Sequence, residues 1–360
     1  VCAPSRATLI TGVHASSMGA HNMRTQKRTA SFKAVKRQLP PDAETFDIHT
    51  YEAVPQPEVK CFTEYLRKNG YYCTNNGKTD YNFSAPFTAW DENNYHAHWR
   101  NRPKNTPFFS VFNIHETHES GIWKNKGDTL ITDPEKVQLP PYYPDTKIVR
   151  IDVARQYDNT SLMDRRVGDL IDQLKRDELY DNTMIFFFGD HGEGLPRAKR
   201  WLYDSGMKVP LIIKFPKNKR AGQITDRLVS FVDFAPTMLS LTGIDIPDYM
   251  QGQAFLGKQA EQPRKYVYGT RDRMDPAIDM MRSVRTKKYK YIKNYRPEKP
   301  YVQFIPYRDQ MDLMKELFRC KVEGLLNETQ ELWFRKTKPE EELYDVINDP
   351  YEINNLANNP

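Results

Sequence analysis

The sequence predicts an α/β fold: a large, mainly parallel sheet between helices, with a smaller antiparallel sheet in a C-terminal part. Three observations lead there. First, the runs "FFSVFNI" (108–114), "MIFFF" (184–188) and "VPLIIKF" (209–215) are short, apolar and bounded by polar residues, the pattern of strands buried on both faces of a sheet. Second, helical patterns alternate with such runs. Third, beyond about residue 245 the pattern changes to the alternation of antiparallel strands.

The elements follow in order. "VCAPSR" precedes an apolar turn at Ala7–Ile10, and Gly12 supplies a helix stop. A helix N-terminus offers N–H groups and a partial positive charge to an anion. Cys2, with Arg6 about one turn later, is therefore either an anion site with a nucleophile in it or a buried cysteine before an ordinary helix. A helix over Val59–Lys68 precedes Gly70 and a strand at Tyr71–Thr74. Val153, Tyr157, Leu162, Val167, Leu170, Ile171 and Leu174 recur at mostly helical spacing, so a long helix is expected over Ile151–Leu179. "DFAPTMLSLT" reads as a helix begun at Asp233 and stopped at Gly243. "RKYVYGT", "MMRSVRT" and "KYKYIKNY" alternate as strands, with a turn at Thr286–Lys287. This divides the chain into an α/β domain over 1–255 and a C-terminal subdomain over 256–360.

Composition bounds the function. With 39% hydrophobic and 12% aromatic residues, 360 residues build one large domain or two smaller ones. No apolar run approaches the roughly 20 residues that span a bilayer. The chain starts with Val rather than Met, so upstream residues, with any targeting segment, are expected. The net charge is +6. The basic clusters Lys33–Arg37 and Lys287–Lys293 suit an anionic partner or a solvated surface, and no nucleic-acid motif accompanies them. Cys2, Cys61, Cys73 and Cys320 are too scattered for a disulfide framework or a zinc site. Cys61 and Cys73 form a bridge or remain buried thiols.

Polar clusters fall at the ends of the expected strands, where open α/β sheets place their sites. Asp190 and His191 follow "MIFFFG" and offer a hard oxygen and an imidazole to a divalent cation. His115 and His118 follow "FFSVFNI", beside Glu116. Lys78 sits in "NNGKTDYNF", and Lys199 lies nine residues beyond Asp190. Each residue alone is as readily a cap, a structural histidine or a solvated lysine.

Together they resemble a known family. "CAPSRATLITG" matches the type I sulfatase signature C-x-P-S-R-x-x-x-x-T-G through Cys2, Pro4, Ser5, Arg6, Thr11 and Gly12. "GYYCTNNGKTDYNF", "FFSVFNIHETHES", "FFFGDHGEG" and "KRWLYDSGMKVPLII" are similar, in order, to further family segments. "RSVRTKKYKYI" and "ELYDVINDPYEINNLA" look like its C-terminal sheet and closing segment. The resemblance spans nearly the whole chain and implies an alkaline phosphatase-like fold.

It also implies a chemistry. The family's cysteine is oxidised by a formylglycine-generating or other sulfatase-modifying enzyme, and the hydrated aldehyde is the nucleophile. Cys2 would take that role, with Lys78 and Lys199 binding sulfate and His118 donating to the leaving oxygen. Asp190, His191 and residue 2 would hold calcium or magnesium. Arg6 would fork onto the modified residue 2 and a nearby carboxylate. Three positions depart from the pattern. The strand whose paired aspartates complete the metal site precedes the Cys motif, so it is expected upstream or on a companion chain. Asp80 stands where the family has a histidine, leaving Asp80 or His14 from the neighbouring helix to serve instead. His191 replaces a frequent asparagine.

The implied activity is sulfate-ester hydrolysis on a sulfated carbohydrate. The H-x-x-H stretch is similar to enzymes that cut N-sulfate from glucosamine, which points to a glycosaminoglycan. A phosphonate or phosphate ester hydrolase of the same superfamily, or an inactive sugar-binding protein, is the alternative. Trp90, His96, His98, Trp99, Arg100, His115 and Trp201 form a sugar platform or ordinary loop packing. Such enzymes are usually exported, so a periplasmic, secreted or lysosomal location is expected.

Overall fold

The computed structural model describes residues 1–23, 25 and 51–358. The basic cluster Lys33–Arg37 lies outside the described residues. In chain order the main elements are α1 (Cys2–Thr11), α2 (Phe62–Lys68), β1 (Tyr72–Asn76), β2 (Glu92–Asn94), β3 (Phe108–Phe112), α3 (Ser120–Lys124), α4 (Lys147–Arg176), β4 (Ile185–Phe188), β5 (Leu211–Lys214), α5 (Phe234–Thr242), β6 (Val267–Arg271), β7 (Met281–Arg285), β8 (Tyr289–Asn294), α6 (Asp312–Val322) and β9 (Glu341–Asp345). They fall into two compact units, one of Val1–Asn113 with Arg227–Lys287, the other of Ile114–Asp226 with Lys288–Pro360.

In the first unit, β1 pairs in parallel with β2 on one side and β3 on the other. Its core gathers Ala7 and Ile10 of α1, Phe62 and Leu66 of α2, Cys73 of β1 and Leu239 of α5. Phe109 of β3 lies edge-on to Phe62 and stacks with Trp90. Cys61 caps α2, its backbone N–H donating to the Glu64 carboxylate 2.9 Å away. Cys61 and Cys73 are free thiols, and burial pushes both above the usual thiol range. Gly12 ends α1 at φ 69, and a Cβ there would meet Met250 and Ala235 at 3.0–3.1 Å. Only glycine satisfies both demands. β6 and β7 form an antiparallel ladder.

In the second unit, α4 is capped by the Thr146 hydroxyl, and α6 receives the Asp152 carboxylate at its N-terminus, accepting from Leu313 N–H at 2.7 Å. β8 and β9 pair antiparallel, and Lys290, Ile292 and Asn294 alternate inward as the sequence pattern requires. Among the described residues no helix is long and apolar enough to cross a membrane.

Two expectations are corrected. The run at 209–215 joins β4 antiparallel, with Ile185 opposite Lys214 and Phe188 opposite Leu211. Between them the longest helix is the four-residue turn Asp204–Met207, too short for the crossover that parallel pairing needs. The apolar runs are also not buried on both faces: β3 and β4 are half-buried throughout, and Ile212 in β5 is 62% exposed. An apolar run does not reveal how many faces of its strand are covered.

Candidate functional site

In the first unit, Cys2 is the opening residue of α1 and 1% exposed. One turn on, Arg6 reaches into the loop after β1. Its Nε donates to the Thr79 carbonyl at 2.8 Å, and its Nη2 to the Lys78 carbonyl at 2.6 Å and to the Asn113 side-chain oxygen. Asn113, just beyond β3, donates to Asn75 Oδ1 at 3.0 Å and to the Asn76 carbonyl at 2.8 Å. Asn75 Nδ2 donates to the Lys78 carbonyl at 3.1 Å. This mesh of arginine and asparagines pins the Lys78 loop to the C-terminal ends of β1 and β3. The reading of Arg6 as a fork for residue 2 missed this use, although "CTNN" and "VFN" place their asparagines at strand ends.

Asp80 sits at φ 56 in that loop, with its carboxylate 3.6 Å from Lys78 Nζ. It therefore orients Lys78. The idea that His14 serves residue 2 is corrected. α1 has ten residues, and at about 1.5 Å per residue its two ends are roughly 15 Å apart. His14 follows the far end, its backbone N–H bonded to the Gln251 side chain. Burial, then the Arg264 charge, lowers its pKa, with Asp233 opposing.

In the second unit, His118 follows β3 and the turn leads into α3. Its Nδ1 accepts from Ser120 N–H at 3.3 Å and lies 2.8 Å from Ser120 Oγ. An acceptor Nδ1 places the proton of the neutral ring on Nε2. His115 is exposed. Glu116, named beside these histidines, instead pairs with Arg166 at the surface. The carboxylate that matters here is Glu119. It is buried, 2.7 Å from Lys199 Nζ, and bidentate to Arg200 at 2.7 and 2.8 Å. Burial alone would raise its carboxyl, but Arg200 and Lys199 together hold it well below the usual carboxylate range. Nothing beyond its place after His118 signalled Glu119, because pairing with Lys199 needs the fold.

Asp190 and His191 follow β4. His191 Nδ1 lies 2.7 Å from the Gly192 carbonyl, which only accepts, so Nδ1 carries the proton. Nε2 then points a lone pair toward Asp190 Oδ1, 3.4 Å away. Burial, then the Lys199 charge, lowers the His191 pKa to about 3, with Asp190 opposing. A neutral imidazole and a carboxylate facing each other lone pair to lone pair form a donor set that fits a divalent cation, and the Gly192 carbonyl sets the ligating tautomer.

The proposed sugar platform is corrected at its three tryptophans. Trp90 is 7% exposed and stacks with Phe109. Trp99 is 2% exposed and packs on His98, Phe108 and Phe112. Trp201 is 3% exposed among Tyr203, Tyr301 and Trp333. Buried indoles build loops and present no face to a sugar. Arg100 and His96 are exposed on the Trp99 loop.

The chain is similar to known proteins. The family model "Sulfatase" matches residues 1–244, and "N-sulphoglucosamine sulphohydrolase, C-terminal" matches residues 192–319. An ulvan-active sulfatase of Formosa agariphila is 47% identical over 395 residues, covering 100% of this chain and 64% of its own length. The N-sulphoglucosamine sulphohydrolase of Homo sapiens is 28% identical over 243 residues, covering 63% of this chain and 48% of its own length. The chain thus spans less than two thirds of either relative. The crystal structure of a phosphonate monoester hydrolase of Agrobacterium radiobacter has the same fold, with TM-score 0.66 at 13% identity, covering 100% of this chain and 82% of that one. With the first family model matched over most of its length, the chain belongs to the sulfatase family.

Proposed function

We propose that this chain carries the catalytic centre of a sulfuric ester hydrolase acting on a sulfated polysaccharide, with formylglycine made from Cys2 as nucleophile. The observation that carries the reading is the Cys-x-Pro-Ser-Arg run opening α1 in a chain of the sulfatase family. A modifying enzyme acting on that run is the implied partner, and export is the implied fate.

The residues divide the work as follows. Formylglycine supplies, as its hydrate, the attacking oxygen, and it returns to the aldehyde when sulfate leaves, which serine or cysteine cannot do. Residue 2, Asp190 and His191 would hold a divalent cation, calcium in this reading, which would supply neutralising charge to the ester oxygens. Lys78 and Lys199 hold those oxygens with fixed positive charge. Asp80 orients the Lys78 ammonium. Arg6 holds the Lys78 loop through the carbonyls of Lys78 and Thr79. His118, protonated on Nε2 because Nδ1 accepts from Ser120, donates to the departing alkoxide oxygen.

Ulvan is the favoured polysaccharide, because the ulvan-active relative is 47% identical across the whole chain. Glycosaminoglycan fragments come second, supported by the N-sulphoglucosamine sulphohydrolase relative. Sulfate release is to be measured from ulvan oligosaccharides, from N-, 2-O- and 6-O-sulfated disaccharides, and from matched aryl sulfate, phosphate and phosphonate esters. Release from ulvan oligosaccharides above all others is expected. Faster phosphonate than sulfate cleavage would move the chain to that chemistry, and activity on small aryl sulfates alone would remove the polysaccharide.

A further inference from the structure

We propose that Glu119 is a positioning residue: it fixes the direction of the Lys199 ammonium, and Arg200 locks Glu119 in place. This inference rests on the proposed role of Lys199 in holding the ester oxygens. Lys199 and Glu119 side chains are each 1% exposed, and Nζ stands 2.7 Å from Oε1. A lysine stem has four rotatable bonds, so a buried carboxylate at that distance removes most of the freedom of its tip. The carboxylate itself is held by the Arg200 fork at 2.7 and 2.8 Å. Its backbone is seated against Gly194, where a Cβ would lie 2.9 Å from Glu119 Cα and Cβ.

The loop that carries Lys199 is held in an unfavourable shape to make this contact. Arg197 and Arg200, on either side of Lys199, both adopt left-handed φ, 59 and 82, which a side chain with Cβ disfavours. Arg197 anchors one side by donating to the carbonyls of Tyr351 and Glu352 at 2.9 and 2.7 Å, with its guanidinium between the Tyr142 and Tyr203 rings. Arg200 anchors the other through Glu119. Lys199 N–H donates to the Glu193 carbonyl at 2.9 Å, tying the loop to the segment that begins at Asp190. Two buried arginines in strained backbone on either side of one lysine serve placement better than simple stability, for which an unstrained loop would do.

The test is E119D in the full chain, co-expressed with a modifying enzyme and assayed on the best sulfated substrate. Aspartate keeps the charge that balances both cations but withdraws the carboxylate by one methylene, about 1.5 Å. The variant is expected to fold, with a melting temperature within a few degrees of the parent. Its kcat/KM is expected to fall about 10- to 100-fold, the scale of a 1 Å misplacement. K199A is expected to lose activity too, and E119D added to K199A is expected to cost nothing more. Folded E119D with parental kcat/KM overturns the proposal. So does E119D that fails to fold, or whose loss simply multiplies with that of K199A, since Glu119 would then act on stability or independently. K199A with parental turnover would instead refute the role given to Lys199, a separate failure.

Discussion

At the residue scale the site depends on which nitrogen carries a proton. Ser120 N–H donates to His118 Nδ1, so the proton of the neutral ring sits on Nε2. A donor matters most when the leaving oxygen is a poor one, so H118A is expected to lower kcat on sugar sulfates by about 10²–10⁴-fold and much less on aryl sulfates with acidic phenols. Equal losses on both would deny His118 the donor role. Asp152 shows the opposite use of a carboxyl. Burial first, with some help from Asp312, raises it to about 6, although Leu313 N–H opposes this. Its folded pKa lies above the unfolded value, so between pH 4 and 6 the folded state holds a proton that the unfolded chain releases. Stability from this group therefore falls as pH rises through that window. D152N keeps an acceptor for Leu313 N–H and removes the charge. It is expected to gain about 1–3 kcal/mol at pH 7 and to flatten that part of the pH–stability curve measured by urea titration; a loss of stability at pH 7 would contradict the assignment.

At the element scale much of the fold is legible in the sequence. Gly12 stops α1 and Gly243 stops α5 because each takes a left-handed φ. Helix α4 starts at Lys147 instead of the expected Ile151 because Thr146 caps it, and apolar spacing alone does not show a cap. The strands fell where "FFSVF" and "IFFF" lie, yet neither their direction nor their burial could be read from apolar runs. The paired groups of the site were hidden for a different reason. Glu119 meets Lys199 across about 80 residues of chain, and the Arg6–Asn113 contact spans 107. Trp99 and Trp201 misled because an indole in a polar loop looks the same whether it is packed or presented. Gly12 gives this scale its test. G12A must carry a Cβ at φ 69 and against Met250 and Ala235, and a loss of about 1–3 kcal/mol is expected by denaturant titration. No loss would mean that the α1 terminus is less constrained than its contacts indicate.

At the scale of the whole molecule, the proposed function draws on several stretches of sequence: Lys78 and Lys199 for positive charge, Arg6 to hold the Lys78 loop, and Asp190 with His191 as donors for a divalent cation. A divalent cation that binds only the folded chain raises its stability by mass action, about 2.7 kcal/mol at a hundred times Kd. Calcium is expected to raise the melting temperature of the parent, EDTA to reverse the rise, and D190N to abolish it. A rise unaffected by D190N would place the cation elsewhere.

The proposed function rests on one event, the conversion of Cys2 into the attacking group. The most direct measurement is the mass of the tryptic peptide holding residue 2, read beside turnover in preparations made with and without a modifying enzyme. A loss of about 18 Da, from replacing SH and H by a carbonyl oxygen, is expected, with turnover proportional to the fraction that has lost it. Full turnover from a chain whose Cys2 is unmodified, or replaced as in C2A, would contradict the nucleophile assigned here.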